Sequence, residues 1–141
     1  MAHTALDEIS TTDTFVRTEA GHRGRTMEVG GKHPPEAGRY HLYTARACPR
    51  AAGALTVLYL KGLEGVISYS AAHPTWARTR PEDPTDVHTG WHFRAPEDAP
   101  VANGEGHGAN ECDDACIPDL VNGCKTVREL YEMAGDTVHR M

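Results

Sequence analysis

Within about thirty residues, positions 40–70, the sequence changes its hydrophobic period twice. Residues 40–44, Y-H-L-Y-T, are aromatic and apolar enough for a strand. Residues 51–60, A-A-G-A-L-T-V-L-Y-L, place apolar side chains at 54, 55, 58 and 60 with helical spacing, and residues 66–70, V-I-S-Y-S, form a second β-prone run. Pro49 suits a first helical turn, where its missing N–H would have had no partner anyway, and Gly62 stands in the stop position. Strand, helix and strand at this length make a βαβ unit with parallel strands and a right-handed crossover. The chain is therefore expected to be α/β.

The rest of the sequence is less regular. Residues 1–38 carry no sustained period and end in G-G-K-H-P-P-E-A-G, so they read as an extended, poorly ordered lead-in to a module over 39–141. Residues 71–124 are rich in Pro, Gly, Asp and His, and read as a long excursion without clear periodicity. Thr126-Val127-Arg128-Glu129 then has the form of a capping box, and Val127, Leu130, Tyr131 and Ala134 share one face before Gly135, which predicts a second helix.

With 141 residues, 39% of them apolar and 24% charged, the chain has the profile of one soluble domain. A net charge of -6 without a dense Lys/Arg cluster argues against nucleic acid and favours small-molecule or protein partners. No apolar run is long enough to cross a bilayer. The opening M-A-H-T-A-L-D-E lacks the basic-then-apolar order of a secretory signal, so a cytoplasmic location is expected. Cysteines 48, 112, 116 and 124 then read as reduced thiols rather than a disulfide framework.

Cys48 is the residue in the richest chemical context. It follows a strand and precedes a helix beginning at Pro49, so its sulfur lies near unpaired N–H groups and the positive end of the helix dipole. Arg46 and Arg50 flank it, and nearby cations also favour thiolate over thiol. Because Ala51 occupies the position of a second thiol in Cys-x-x-Cys, a thiolate here forms a mixed disulfide with an external thiol. The alternative is a buried cysteine that merely ends a strand.

Several stretches carry a family resemblance. Gly38-Arg39-Tyr40-His41-Leu42-Tyr43, Ala47-Cys48-Pro49, Leu60-Lys61-Gly62-Leu63-Glu64-Gly65-Val66-Ile67, His73-Pro74, Gly90-Trp91-His92-Phe93 and Arg128-Glu129-Leu130-Tyr131 occur in this order. Together they resemble the thioredoxin-fold half of glutathionyl-hydroquinone reductases, the xi class of glutathione S-transferases and relatives of the omega class. The resemblance implies glutathione as co-substrate and a glutathionylated quinol as substrate. It also implies Cys48 as nucleophile, and Trp91, Pro49 and Arg50 as the residues around glutathione; Trp91 reads equally well as a packing anchor. Arg50 departs from the family, which carries a tryptophan there. The chain reaches Met141 just before the position of the family's Thr-Val-Pro-Val strand, so the expected fold is a partial thioredoxin-like one: a βαβ unit, a long loop and a second helix, without the C-terminal hairpin and the helical domain.

Such a module leaves a sheet edge unpaired, which implies a homodimer or a partner protein covering it. Two functions follow: a glutathione-dependent thiol transferase working through a mixed disulfide on Cys48, or a non-catalytic interaction subunit of a larger assembly. Among the remaining residues, His107, Cys112, Cys116 and Cys124 are acceptable zinc ligands in a spacing that matches no standard knuckle, so loop thiols with no metal are expected. His88 and His92 are expected to face solvent. Arg78 or Arg80 is a candidate for a forked contact to a glutathione carboxylate.

Overall fold

The computed structural model describes residues 27–103 and 106–135. Strand β1 (Tyr40–Ala45), helix α1 (Pro49–Leu60) and strand β2 (Ile67–Ala72) form the βαβ unit. The strands are parallel, in register from Tyr40 opposite Ile67 to Ala45 opposite Ala72. One side chain pins the pair: the His41 ring lies 2.7 Å from Ser68 Oγ through Nδ1 and 2.9 Å from Ser70 Oγ through Nε2. Ser70 Oγ donates its own proton to the Pro118 carbonyl, so it accepts from His41 Nε2–H, and Nδ1 accepts from Ser68. Burial lowers the His41 pKa, in keeping with that neutral ring.

α1 begins as the proline predicts. Cys48 is its N-cap, with extended backbone (φ -94°, ψ 114°), and Pro49 opens the first turn. At the other end Gly62 adopts φ +62°, where a side chain would be strained, and its amide closes on the Tyr59 carbonyl at 3.0 Å. Among α1's residues only Leu58 is buried.

The long excursion is a set of short pairings. β3 (Ala77–Arg78) and β4 (Thr89–Gly90) form one antiparallel pair, and β5 (Val101–Ala102) and β6 (Ala109–Asn110) another. Beyond them, Ala71 and Ile117 exchange both backbone hydrogen bonds, which covers the outer edge of β2. Residues 91–93 form a rail between β2 and the second helix, α2 (Val127–Met133). The His73 amide donates to the His92 carbonyl, the Phe93 amide to the Lys125 carbonyl and the Val127 amide to the Trp91 carbonyl, at 2.9–3.0 Å. The outer edge of β1 carries no strand among the described residues.

α2 starts on a complete capping box. Thr126 Oγ1 accepts from the Glu129 amide at 3.1 Å, and the Glu129 carboxylate accepts from the Thr126 amide at 3.4 Å. Its Arg128 is buried, 2.7 Å from Asp86 and 3.1 Å from Glu132, and donates to Thr79 Oγ1 at 3.1 Å. Thr79 and Asp86 belong to the β3–β4 hairpin region, so this guanidinium ties the excursion to α2. Arg128→Ala is expected to destabilise the protein by about 3 kcal/mol in urea unfolding, because it leaves Asp86 without its buried partner.

His88 and His92 are buried, at 3% and 8% exposure, and do not face solvent. The hairpin brings His88 Nδ1 to Thr79 Oγ1 at 3.0 Å, and His92 lies in the rail, bridged to Thr126. Burial, with Arg94 nearby, lowers the His92 pKa and favours a neutral ring.

Candidate active site around Cys48

The core closes where β1, the rail and α2 meet. Ala45, Ala72, Phe93 and Cys124 are buried there, and Tyr43, Cys48, Trp91, Val127 and Leu130 pack against them. Cys48 is half-buried and its side chain makes no capping hydrogen bond. It opens on a groove of about 430 Å³ whose walls include Tyr43, Ala51, Trp91, Leu130 and Tyr131. The α2 face legible in the sequence, Val127, Leu130, Tyr131 and Ala134, is the wall opposite the head of α1.

The groove is mostly apolar. Thr44 Oγ1 and Trp91 Nε1 are buried polar atoms of lining residues that have no hydrogen-bond partner among the described residues. The Trp91 ring is held from the other side by Trp76, edge to face at 5.4 Å.

Tyr43 is fixed by a relay behind the wall. Its hydroxyl donates to Asp119 Oδ1 at 3.0 Å and accepts from Asn122 Nδ2 at 2.7 Å. Burial, followed by the Asp119 carboxylate, pushes its pKa up to about 12, so it remains a donor at neutral pH. Asp119 also accepts from the amides of Val121 and Asn122 at 3.0 Å and of Cys124 at 3.1 Å. Burial pushes this carboxyl upward, but the three amides and Tyr43 outweigh it and hold its pKa below the usual range. Burial, then the Asp119 charge, raises the Cys124 pKa, which keeps that sulfur a thiol.

Of the residues singled out from the sequence, Cys48 and Trp91 share the groove. Pro49 sets the helix start, and Arg50 is exposed and absent from the lining. Arg78 and Arg80 are spent elsewhere. Arg78 Nη2 caps the carbonyls of Arg80, Asp83 and Asp86, and Arg80 forks onto both Glu132 oxygens at 2.8 and 3.0 Å. The suggested zinc quartet does not assemble: Cys124 belongs to the core around Asp119, whereas Cys112 and Cys116 lie beside His73. Asp119 was missed; its signal is Asp119-x-Val121-Asn122, an Asx turn in which the carboxylate accepts from amides two and three residues on.

No protein-family model matches the chain. Individual proteins do. Over 131 residues, 93% of the chain, it is 30% identical to the glutathionyl-hydroquinone reductase PcpF of Sphingobium chlorophenolicum, spanning 32% of that protein. Over 68 residues, 48% of the chain, it is 41% identical to a glutathione S-transferase omega-like 2 of Schizosaccharomyces pombe, spanning 22% of it. Among solved structures, a xi-class glutathione transferase from Natrialba magadii superposes with a TM-score of 0.54 and 35% identity over 86% of the chain and 32% of that protein. The described elements are those of a partial thioredoxin-like fold, and no described helix is long and apolar enough to cross a membrane. By sequence and by fold, then, the chain is homologous to glutathionyl-hydroquinone reductases and to xi-class and omega-like glutathione S-transferases, and spans about a third or less of their length.

Proposed function

We propose that the chain is a glutathione-dependent thiol transferase that works through a mixed disulfide on Cys48, with a glutathionylated quinol as substrate. The observation that carries this reading is a half-buried cysteine at a helix N-cap, opening on an apolar groove walled by Tyr43, Trp91, Leu130 and Tyr131. The Cys48 thiolate attacks the glutathionyl sulfur, the aryl carbon–sulfur bond breaks, and the ring carbon takes a proton, releasing the hydroquinone. A second glutathione thiolate then attacks the Cys48–glutathione disulfide, releasing glutathione disulfide and restoring the thiolate. The apolar walls suit the aromatic ring. As a soluble protein the chain would act in the cytoplasm, where thiols stay reduced.

Incubated with glutathione disulfide at neutral pH, the chain is expected to gain one glutathione, mapped by peptide mass to Cys48. It should then release hydroquinone from a glutathionyl-hydroquinone in the presence of glutathione. No adduct on a Cys48 that an alkylating reagent still reaches would sink the proposal.

A second reading is favoured by the edge of β1 beside the same groove, which pairs with no strand among the described residues: a non-catalytic module whose edge is covered by a second copy or another protein. A complex in native extract together with an unreactive Cys48 selects this reading. A free monomer with a reactive Cys48 selects the first.

A further inference from the structure

Away from the Cys48 groove, three side chains with metal-binding chemistry meet at the end of β2. His73 follows the last residue of β2 directly and is fully buried. Cys116 is buried and precedes Ile117, the residue that pairs with Ala71 on the β2 edge. Cys112 is half-buried. One imidazole nitrogen and the two sulfurs lie within 4.8 Å of one another. Both cysteines are free thiols.

The ring's tautomer is fixed by its neighbours. The Thr75 amide donates to His73 Nδ1 at 3.1 Å, so Nδ1 carries the lone pair, and Nε2–H donates to the Glu111 carbonyl at 3.2 Å. A backbone carbonyl on one ring nitrogen, with the lone pair on the other, is the usual second-shell arrangement of a metal-bound histidine. Both ring nitrogens are engaged by backbone, so a cation takes the Nδ1 lone pair only by displacing the Thr75 amide.

We propose that His73, Cys112 and Cys116 form a binding site for a thiophilic divalent cation of the zinc type, with a fourth ligand from solvent. Two thiolates and a neutral imidazole match the charge and softness of Zn²⁺, and both thiol protons leave to solvent as the ion binds. Tetrahedral zinc holds such donors about 3.5–3.8 Å apart, so modest rotation of the two cysteine side chains closes the site. The half-buried Cys112 provides the solvent-facing side. The ion clips the loop around Cys112 and Cys116 to the end of β2, beside the Ala71–Ile117 bridge. A Cys112–Cys116 disulfide is the competing use of the pair, but it gives no role to the buried imidazole beside both sulfurs.

The site is independent of the Cys48 chemistry and is tested without it. The full chain, reduced and stripped with a chelator, is titrated with Co²⁺. One equivalent is expected to bind with a thiolate-to-cobalt charge-transfer band in the near ultraviolet and the visible bands of four-coordinate cobalt, both removed by one equivalent of Zn²⁺. Cys112→Ser should roughly halve the charge-transfer intensity, and Cys48→Ser should leave the spectrum intact. The wild-type spectrum reports ligation directly, so the test does not depend on any variant folding. Absence of the band while the thiols remain titratable overturns the site. So does a band lost in Cys48→Ser, or a Cys112–Cys116 disulfide that persists through reduction and excludes the ion.

Discussion

Cys48→Ser is expected to take up no glutathione and to lose dehydroglutathionylation activity by on the order of a thousandfold or more. A serine hydroxyl fits the same N-cap, where Cys48 makes no side-chain hydrogen bond, and serine is a preferred N-cap residue. The helix therefore stays, and the folded protein should be as stable as the parent or slightly more so. A hydroxyl is a far weaker nucleophile at neutral pH and cannot form the disulfide on which the cycle depends. The comparison separates chemistry from structure: unfolding midpoint unchanged, adduct absent. Residual adduct in the variant would have to sit on Cys112, the other half-buried thiol, and peptide mapping tells the two apart. Activity that survives Cys48→Ser rules the thiol mechanism out.

Asp119→Ala is expected to destabilise the protein by about 3–4 kcal/mol, measured by urea unfolding. The carboxylate accepts from the amides of Val121, Asn122 and Cys124 and from the hydroxyl of Tyr43, and alanine removes all four bonds and leaves the buried Cys124 amide without this acceptor. The pH dependence has a definite sign. Because the folded-state pKa of Asp119 lies below its ordinary value, its contribution is fully present above the ordinary carboxylate pKa of about 3.9 and is lost as pH falls through the lowered value. Asp86 behaves alike: burial opposes ionisation, but Arg128 and the His88 amide outweigh it and lower its pKa. Stability should therefore fall below about pH 4, and Asp119→Asn should flatten that fall. Equal acid sensitivity in parent and variant would show that Asp119 is not among the groups responsible. Loss of the Asp119 anchor also frees Tyr43, a wall of the Cys48 groove, so activity should drop along with stability.

The βαβ unit was legible because each of its segments carries its own period. The expected strands at 40–44 and 66–70 correspond to Tyr40–Ala45 and Ile67–Ala72, and Pro49 and Gly62 mark the ends of α1. The capping box placed α2, and the apolar face of that helix turned out to be the groove wall. Pairings of two residues have no period to read, so β3 to β6 and the Ala71–Ile117 bridge were invisible. The same pairings decide what is buried, which is why His88 and His92 were misplaced at the surface. They also decide which cysteines meet: Cys112 and Cys116 fall beside His73, far back in the chain, while Cys124 joins the core around Asp119.

The arrangement of β1, α1 and β2 has a consequence for how the protein comes into being. These elements are contiguous, and their contacts close over short loops, whereas the rail at residues 91–93 and α2 engage β2 only across long ones. Local contacts form first, and closing long loops costs more entropy. During synthesis the head of α1 can therefore exist before α2 has left the ribosome. For that interval Cys48 stands without its wall, and the nascent chain meets oxidants with that thiol uncovered. Docking of α2 then does more than complete the core, because it restricts the thiol to reactants that fit the groove.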